Sequence, residues 1–146
     1  MSYKLPVSVL VLVYTAELEV LLLERAARGG YWQSVTGSLD RTDEPLEAAA
    51  ARELREETAI APEQGTLERW NVTNTFEIYA TWRGRFAPGV THNTEHVFGF
   101  RMPRRVHVTL SPNEHLAFQW LPWREAAAKC FSWTNRDAIL MLGERP

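Results

Sequence analysis

Apolar and polar positions recur with different periods along this chain, and the periods mark out its elements. LPVSVLVLVY, residues 5–14, is a near-continuous apolar run bounded by Pro6 and a polar turn, the pattern of a buried strand. EVLLLE, residues 19–24, predicts its hairpin partner, and Gly29 and Gly30 punctuate the loop that follows. Residues 31–37, YWQSVTG, predict a short strand entering a turn at Gly37. From about Asp43 to Thr58 the period becomes helical, with Pro45 suited to a first turn, Thr42, Asp43 and Glu44 placed to cap it, and Ala61 and Pro62 ending it. Strand composition returns over 66–82 and 95–102, separated by a long loop that contains Pro88 and Gly89, and again over 118–121. Residues 122–129 and 133–142 predict helices, the second capped near Ser132. One mixed α/β domain over residues 1–146, with helices flanking a sheet, satisfies this order of elements.

The helix over 43–58 carries the chemistry. At 100° per residue, Leu46, Ala49, Ala50 and Leu54 fall within a single arc, and Glu53 and Glu57 fall inside that same arc with Glu56 at its edge. A solvated charge run would set its glutamates opposite the leucines, not in line with them. Burying carboxylates without a cation costs several kcal/mol each or forces protonation. The pattern therefore predicts a face turned toward a hard divalent cation. Oxygen donors with no His or Cys nearby select Mg²⁺, with Mn²⁺ as substitute, and Mg²⁺ completes its shell with water and substrate phosphates.

Gly37, Glu44, Arg52, Glu53, Leu54, Glu56, Glu57 and Ile60 resemble the signature of the Nudix hydrolase family. Two positions depart from it. The spacer between Gly37 and Glu44 has six residues where the family has five, which also makes Asp43 a candidate for the role of Glu44, and Ala59 stands where glycine is usual. YWQSVTGS, FEIY, RFAPGVTHNTE, EHLAFQWL and SWTNRDAI extend the resemblance to the branch of the family that acts on dihydroneopterin triphosphate. The resemblance implies an α/β/α sandwich around a central mixed β-sheet. It also implies a Mg²⁺-dependent pyrophosphohydrolase that releases pyrophosphate and leaves a monophosphate.

By the same resemblance, Glu53 and Glu57 are the main metal ligands, the Gly37 carbonyl completes the site, and Glu56 is a further ligand or a base. Glu114 reaches the metals from a distant loop as ligand or general base, and Arg52 orients the acidic cluster through an ion pair with Glu44. Lys4, Arg25 and Thr36 match phosphate-side substrate positions, and guanidinium and ammonium groups are suitable donors to phosphate. Phe76, Glu77, Ile78 and Tyr79 match a ring-binding strand, where alternation would send Phe76 and Ile78 to one face and Glu77 and Tyr79 to the other. Ser132 matches a polar contact or caps its helix. Trp32, Trp120 and Trp133 are read as core.

Composition sharpens this picture. Sixteen Lys and Arg against 18 Asp and Glu give a net charge of −2, without the basic field of non-specific nucleic-acid binding. Seven of those acids and only three of the bases lie between Asp40 and Glu57, so a segment of charge −4 is set in a remainder of +2. Cys130 is the single cysteine, which excludes an intramolecular disulfide and a thiolate metal cluster. The apolar run near the start is too short to span a bilayer. The expectations are a cytoplasmic enzyme, monomeric or weakly homo-oligomeric, with a small triphosphate substrate and neither nucleic acid nor membrane as partner. The alternatives are a purine nucleoside triphosphate as substrate, a binding module without turnover, and a purely structural helix.

Overall fold

The first apolar run forms β1 (Val7–Thr15), and its residues Val9 to Val13 are at most 1% exposed. A strand covered on both faces has no solvent side, which is why its sequence does not alternate. The structure, a computed structural model, describes residues 2–144, so residues 1, 145 and 146 of the domain expected over 1–146 lie outside the described residues. β1 runs parallel to β6 (His92–Met102) over its whole length, and β6 is antiparallel to β5 (Thr66–Glu77).

The other edge of β1 is divided. β2 (Glu19–Arg25) meets it at Tyr14 and Val20, then diverges to pair with β7 (His115–Pro122) and with β3 (Trp32–Gln33). Into the resulting gap comes β4 (Val35–Ser38), antiparallel to the first half of β1 from Ser8 opposite Ser38 to Val11 opposite Val35. Gly37 thus sits inside a strand opposite Val9, not in the expected turn. The seven strands make one mixed sheet.

α1 (Leu46–Thr58) covers one face, where Ala49, Ala50 and Leu54 join Val9, Val11, Val13, Phe98 and Phe100. α2 (Trp123–Lys129) and α3 (Trp133–Leu140) cover the other, where Ala126, Ala138 and Ile139 join Leu10, Leu12 and Val97. This is the mixed sheet flanked by helices expected from the sequence. Cys130 contributes as a half-buried thiol that desolvation pushes up to about 12, so it stays protonated and inert. No helix of the described residues is long and apolar enough to cross a membrane.

Several element ends differ from expectation, and three details at them have a local reason. α1 starts later, at Leu46, with Pro45 at the N-cap and no side-chain cap: Glu44 is engaged elsewhere, and Asp43 pairs with Arg41 at the surface. β5 ends at Glu77, and Ala80–Arg85 forms a 3-10 helix in place of the last expected strand residues. Ser132 occupies the N-cap of α3, but its hydroxyl meets Thr134 Oγ1 at 3.0 Å instead of a backbone N–H.

The C-terminus of α1 shows what the alanine at position 59 costs. Ala59 is left-handed, with φ of 63°, and its N–H closes the helix on the Arg55 carbonyl. An L-residue with a Cβ pays for that conformation, whereas glycine adopts it freely. Ala59→Gly is expected to stabilise the fold by roughly 0.5–1 kcal/mol, the relieved strain outweighing the added unfolded-state entropy. Urea unfolding would show it as a higher midpoint with unchanged slope.

Candidate active site

The acidic cluster is built where α1 crosses β4. Gly37 is needed there: a Cβ on it would lie 2.0 Å from Cδ of Glu53, so any side chain would displace that carboxylate. Glu53 and Glu57, one helical turn apart, are 9% and 3% exposed and hydrogen-bonded to each other. Desolvation, the adjacent Glu53 charge and the Glu114 charge push Glu57 well above the usual carboxylate range, against a hydrogen bond from the Thr36 backbone. Burial raises Glu53 as well, while its bonds to Glu57 and Arg52 oppose the shift. Burial and the closeness of the two carboxylates thus make it costly for both to be charged at once.

Arg52 holds this cluster in place. Its Nε and Nη2 form a fork on Glu44 at 2.9 and 3.1 Å, Nη1 donates to Glu53 at 2.8 Å and to Glu56 at 3.3 Å, and Nη2 also reaches the Ser38 carbonyl at 3.1 Å. Glu44 accepts in addition from the Asp40 N–H at 2.8 Å. The Arg52 fork depresses the Glu44 carboxyl, and Glu44 in turn raises the guanidinium above its ordinary value. The extra spacer residue is absorbed in the turn before α1, and Glu44, not Asp43, takes the paired position.

A cavity of about 500 Å³ opens beside this cluster, a size typical of small-molecule sites. Glu57, Gly37 and Thr36 line it together with Lys4, Arg25 and Glu114. Partial desolvation, then the like charges of Arg85 and Arg25, lower the Lys4 ammonium, and Glu53 and Glu114 counter the shift. Arg25 is lowered by desolvation and by Arg85, opposed by Glu57 and Glu114. Glu114, on the turn before β7, is thus close enough to the α1 acids for its charge to be felt there. Glu53, Arg52 and Glu56 stand behind the wall. Glu53 reaches it through Glu57, and Glu56 is half-exposed on the outer side.

Phe76, Glu77, Ile78, Tyr79 and Ser132 line the same cavity. β5 stops at Glu77, so strict alternation no longer governs Ile78 and Tyr79, which follow it in the chain. The Glu77 carboxylate is held by Arg83. Tyr79, Trp82 and Phe131 form an aromatic wall, with Tyr31 stacked on Phe131 at 4.7 Å and the Arg25 guanidinium 4.6 Å over Trp82.

Several lining residues went unrecognised in the sequence. Trp133, read there as core, is 44% exposed and lines the cavity, because it stands on the first turn of α3 where that helix faces the opening. Trp82, Arg85, Glu95, Asn93, Asn135 and His115 line it too. Desolvation and Arg25 lower His115 to about 4, so its imidazole is neutral and its 3.7 Å approach to Glu57 is not an ion pair. The only sequence signal for His115 was its place beside Glu114.

The family model of the NUDIX domain matches residues 4–142. The chain belongs to the Nudix family. Dihydroneopterin triphosphate diphosphatase of Escherichia coli K12 is 44% identical over 140 residues, covering 94% of this chain and 91% of that protein. The Haemophilus influenzae enzyme of the same name is 37% identical over 142 residues, 95% and 88% of the two chains. The structure of the E. coli dihydroneopterin triphosphate pyrophosphohydrolase superposes with a TM-score of 0.88 over 95% of each chain. A C. elegans Ap4A hydrolase, 20% identical, shares the Nudix fold with a TM-score of 0.74 over 94% of this chain and 95% of its own.

The observations on this chain fit a hard divalent cation. Glu57 Oε1 is buried with no hydrogen-bond partner, the donors are carboxylates and a backbone carbonyl, and burial beside the charge of Glu53 disfavours the bare carboxylate of Glu57. Among the described residues no three His, Cys, Asp or Glu side chains are already gathered closely enough to hold an ion. Gly37→Ala is expected to cost about 1–3 kcal/mol by overpacking against Glu53. Thermal unfolding checks this, and an unchanged midpoint would show that Glu53 moves aside freely.

Proposed function

We propose that this Nudix protein is a Mg²⁺-dependent pyrophosphohydrolase of dihydroneopterin triphosphate, giving dihydroneopterin monophosphate and pyrophosphate. The observation that carries the reading is one cavity joining an acidic cluster and cations to an aromatic wall, in a chain 44% identical over 94% of its length to the E. coli enzyme. Glu53, Glu57 and the Gly37 carbonyl would hold the metal, with Glu56 and Glu114 adding carboxylates from the helix rim and the β7 turn. When bound, the cation compensates charge on the phosphate oxygens and acidifies water.

The protein's own groups do the rest. Lys4 and Arg25 place the triphosphate beside the acids, and Thr36 lies next to them on β4. Desolvation strengthens these charge-assisted bonds. Neutral His115 narrows the space around Glu57 without adding a charge. Glu114 is placed to accept the proton of the attacking water, since it lines the cavity outside the buried Glu53–Glu57 pair. Phe76, Tyr79 and the aromatic wall receive the bicyclic ring, Ile78 supplies an apolar contact, and Ser132 a hydroxyl. A small soluble substrate agrees with the expected cytoplasmic placement.

Two experiments follow. Pyrophosphate release with Mg²⁺, measured over a triphosphate panel, is expected to give the largest kcat/KM for dihydroneopterin triphosphate; a larger value for dGTP would overturn the assignment. Glu57→Gln is expected to lower kcat by on the order of 10²–10³-fold, and Arg52→Gln, acting through the carboxylates it holds, to weaken Mg²⁺ binding by about 10–100-fold. Calorimetric Mg²⁺ titration separates the two effects.

A further inference from the structure

Beyond the residues placed above, the cavity reaches a buried polar cluster on the face of the sheet opposite α1. Strand alternation puts Asn93 and Glu95 in line with Val97, on the side covered by α3, and puts Ser8 in line with Leu10 and Leu12. Ser8 and Glu95 are register partners across β1 and β6. All three line the cavity together with Thr134 and Asn135, and none of the five is more than 7% exposed. A glutamate in such a place needs a reason, because sheet residues packed under a helix are normally apolar.

The hydrogen bonds of this cluster are incomplete in one direction. Thr134 and Asn74 bond to the Glu95 carboxylate, yet its Oε1 is buried with no partner. Asn93 donates from Nδ2 to Ser8 Oγ at 2.8 Å, which leaves its Oδ1 buried and equally unpartnered. Asn135 accepts the Ser34 N–H on Oδ1 at 2.8 Å, which leaves its Nδ2 as a donor. The unmet groups are thus two acceptors two residues apart on one strand, with a donor from α3 nearby. Burial pushes the Glu95 carboxyl up to about 7, as expected for a carboxylate whose charged form lacks its partner.

Resting on the pterin reading above, we propose that Glu95, with Asn93 and Asn135 beside it, reads the 2-amino-4-oxopyrimidine edge of the substrate ring. That edge presents an exocyclic NH₂ and an adjacent ring N–H, a side-by-side donor pair matched to a carboxylate, and next to them a carbonyl that accepts from Asn135. Of the four acids that line the cavity, Glu95 alone is free for this: Glu57 and Glu114 face Lys4 and Arg25, and Glu77 is taken by Arg83. The triphosphate and the ring are then held on opposite faces of the sheet. A ring with oxygen in place of the amino group would set its carbonyl against the carboxylate and be rejected.

Quenching of tryptophan fluorescence by phosphate-free ligands tests this without turnover. The probes are neopterin and its lumazine analogue, with the same side chain but oxygen in place of the 2-amino group. The unsubstituted protein is expected to bind neopterin about 30-fold or more tightly than the lumazine, and Glu95→Gln, which can donate to the new carbonyl, to erase or invert that preference. Equal binding of the two probes to the unsubstituted protein, no neopterin binding by it up to millimolar concentration, or a preference that survives Glu95→Gln each overturns the proposal. Loss of both ligands in the variant assigns Glu95 to the fold and overturns it as well. Absence of pyrophosphate release from dihydroneopterin triphosphate, with ring discrimination intact, would instead overturn the functional reading and leave ring recognition standing.

Discussion

Two carboxylates buried side by side against a glycine are the constraint around which the rest of this structure is arranged. Glu53 and Glu57 lie on the apolar stripe of α1, so the packing that secures the helix also desolvates them. The same helix face places Leu54 in the core with Phe98 and Phe100. Arg52 limits the repulsion by donating to Glu53 while its fork is anchored on Glu44. What remains is a pair of acids whose charged forms are disfavoured by burial, a cost that a divalent cation would offset.

The divided edge of β1 gives this cluster access to substrate. If β2 ran beside β1 throughout, the α1 acids would be sealed under a continuous sheet. Its divergence after Val20 admits β4, whose Gly37 lets Glu53 approach and whose Thr36 opens onto the cavity. The same cavity touches residues on both faces of the sheet, Glu57 on the α1 side and Glu95 on the α3 side. An elongated ligand can therefore keep a polyphosphate and a flat ring in chemically different surroundings.

Much of this was legible in the sequence, for reasons specific to each element. The continuous apolar run of β1 and the glutamates within the α1 stripe are local periodicities, and both survive into the fold. Gly37 looked like a turn because glycine is common there; its actual role depends on a helix that crosses it from residues later in the chain. Trp133 looked like core because a tryptophan at a helix start has no pattern to show that it faces an opening. Glu95 carried no signal at all. A single acid in a strand reads as solvent-facing until β1 on one side, β5 on the other and α3 above it are known to cover it.

The charge distribution takes on a structural meaning in the same way. The acidic segment from Asp40 to Glu57 does not present one uniform surface: Asp43 and Arg41 pair outside, Glu44 is buried but spent on Arg52, and Glu53 and Glu57 are buried as a pair. The cations of the remainder include Lys4, Arg25 and Arg85, which line the cavity beside those acids; Arg85 and Arg25 lower the proton affinity of Lys4, and Arg85 lowers that of Arg25. Three clustered cations would repel a metal, and two clustered carboxylates would repel a polyphosphate. Each group becomes favourable only when both ligands are present, since the metal neutralises the acids and the phosphates neutralise the cations. Such a site binds the metal–polyphosphate pair more favourably than either partner alone, and that mutual dependence ties metal binding to the arrival of substrate.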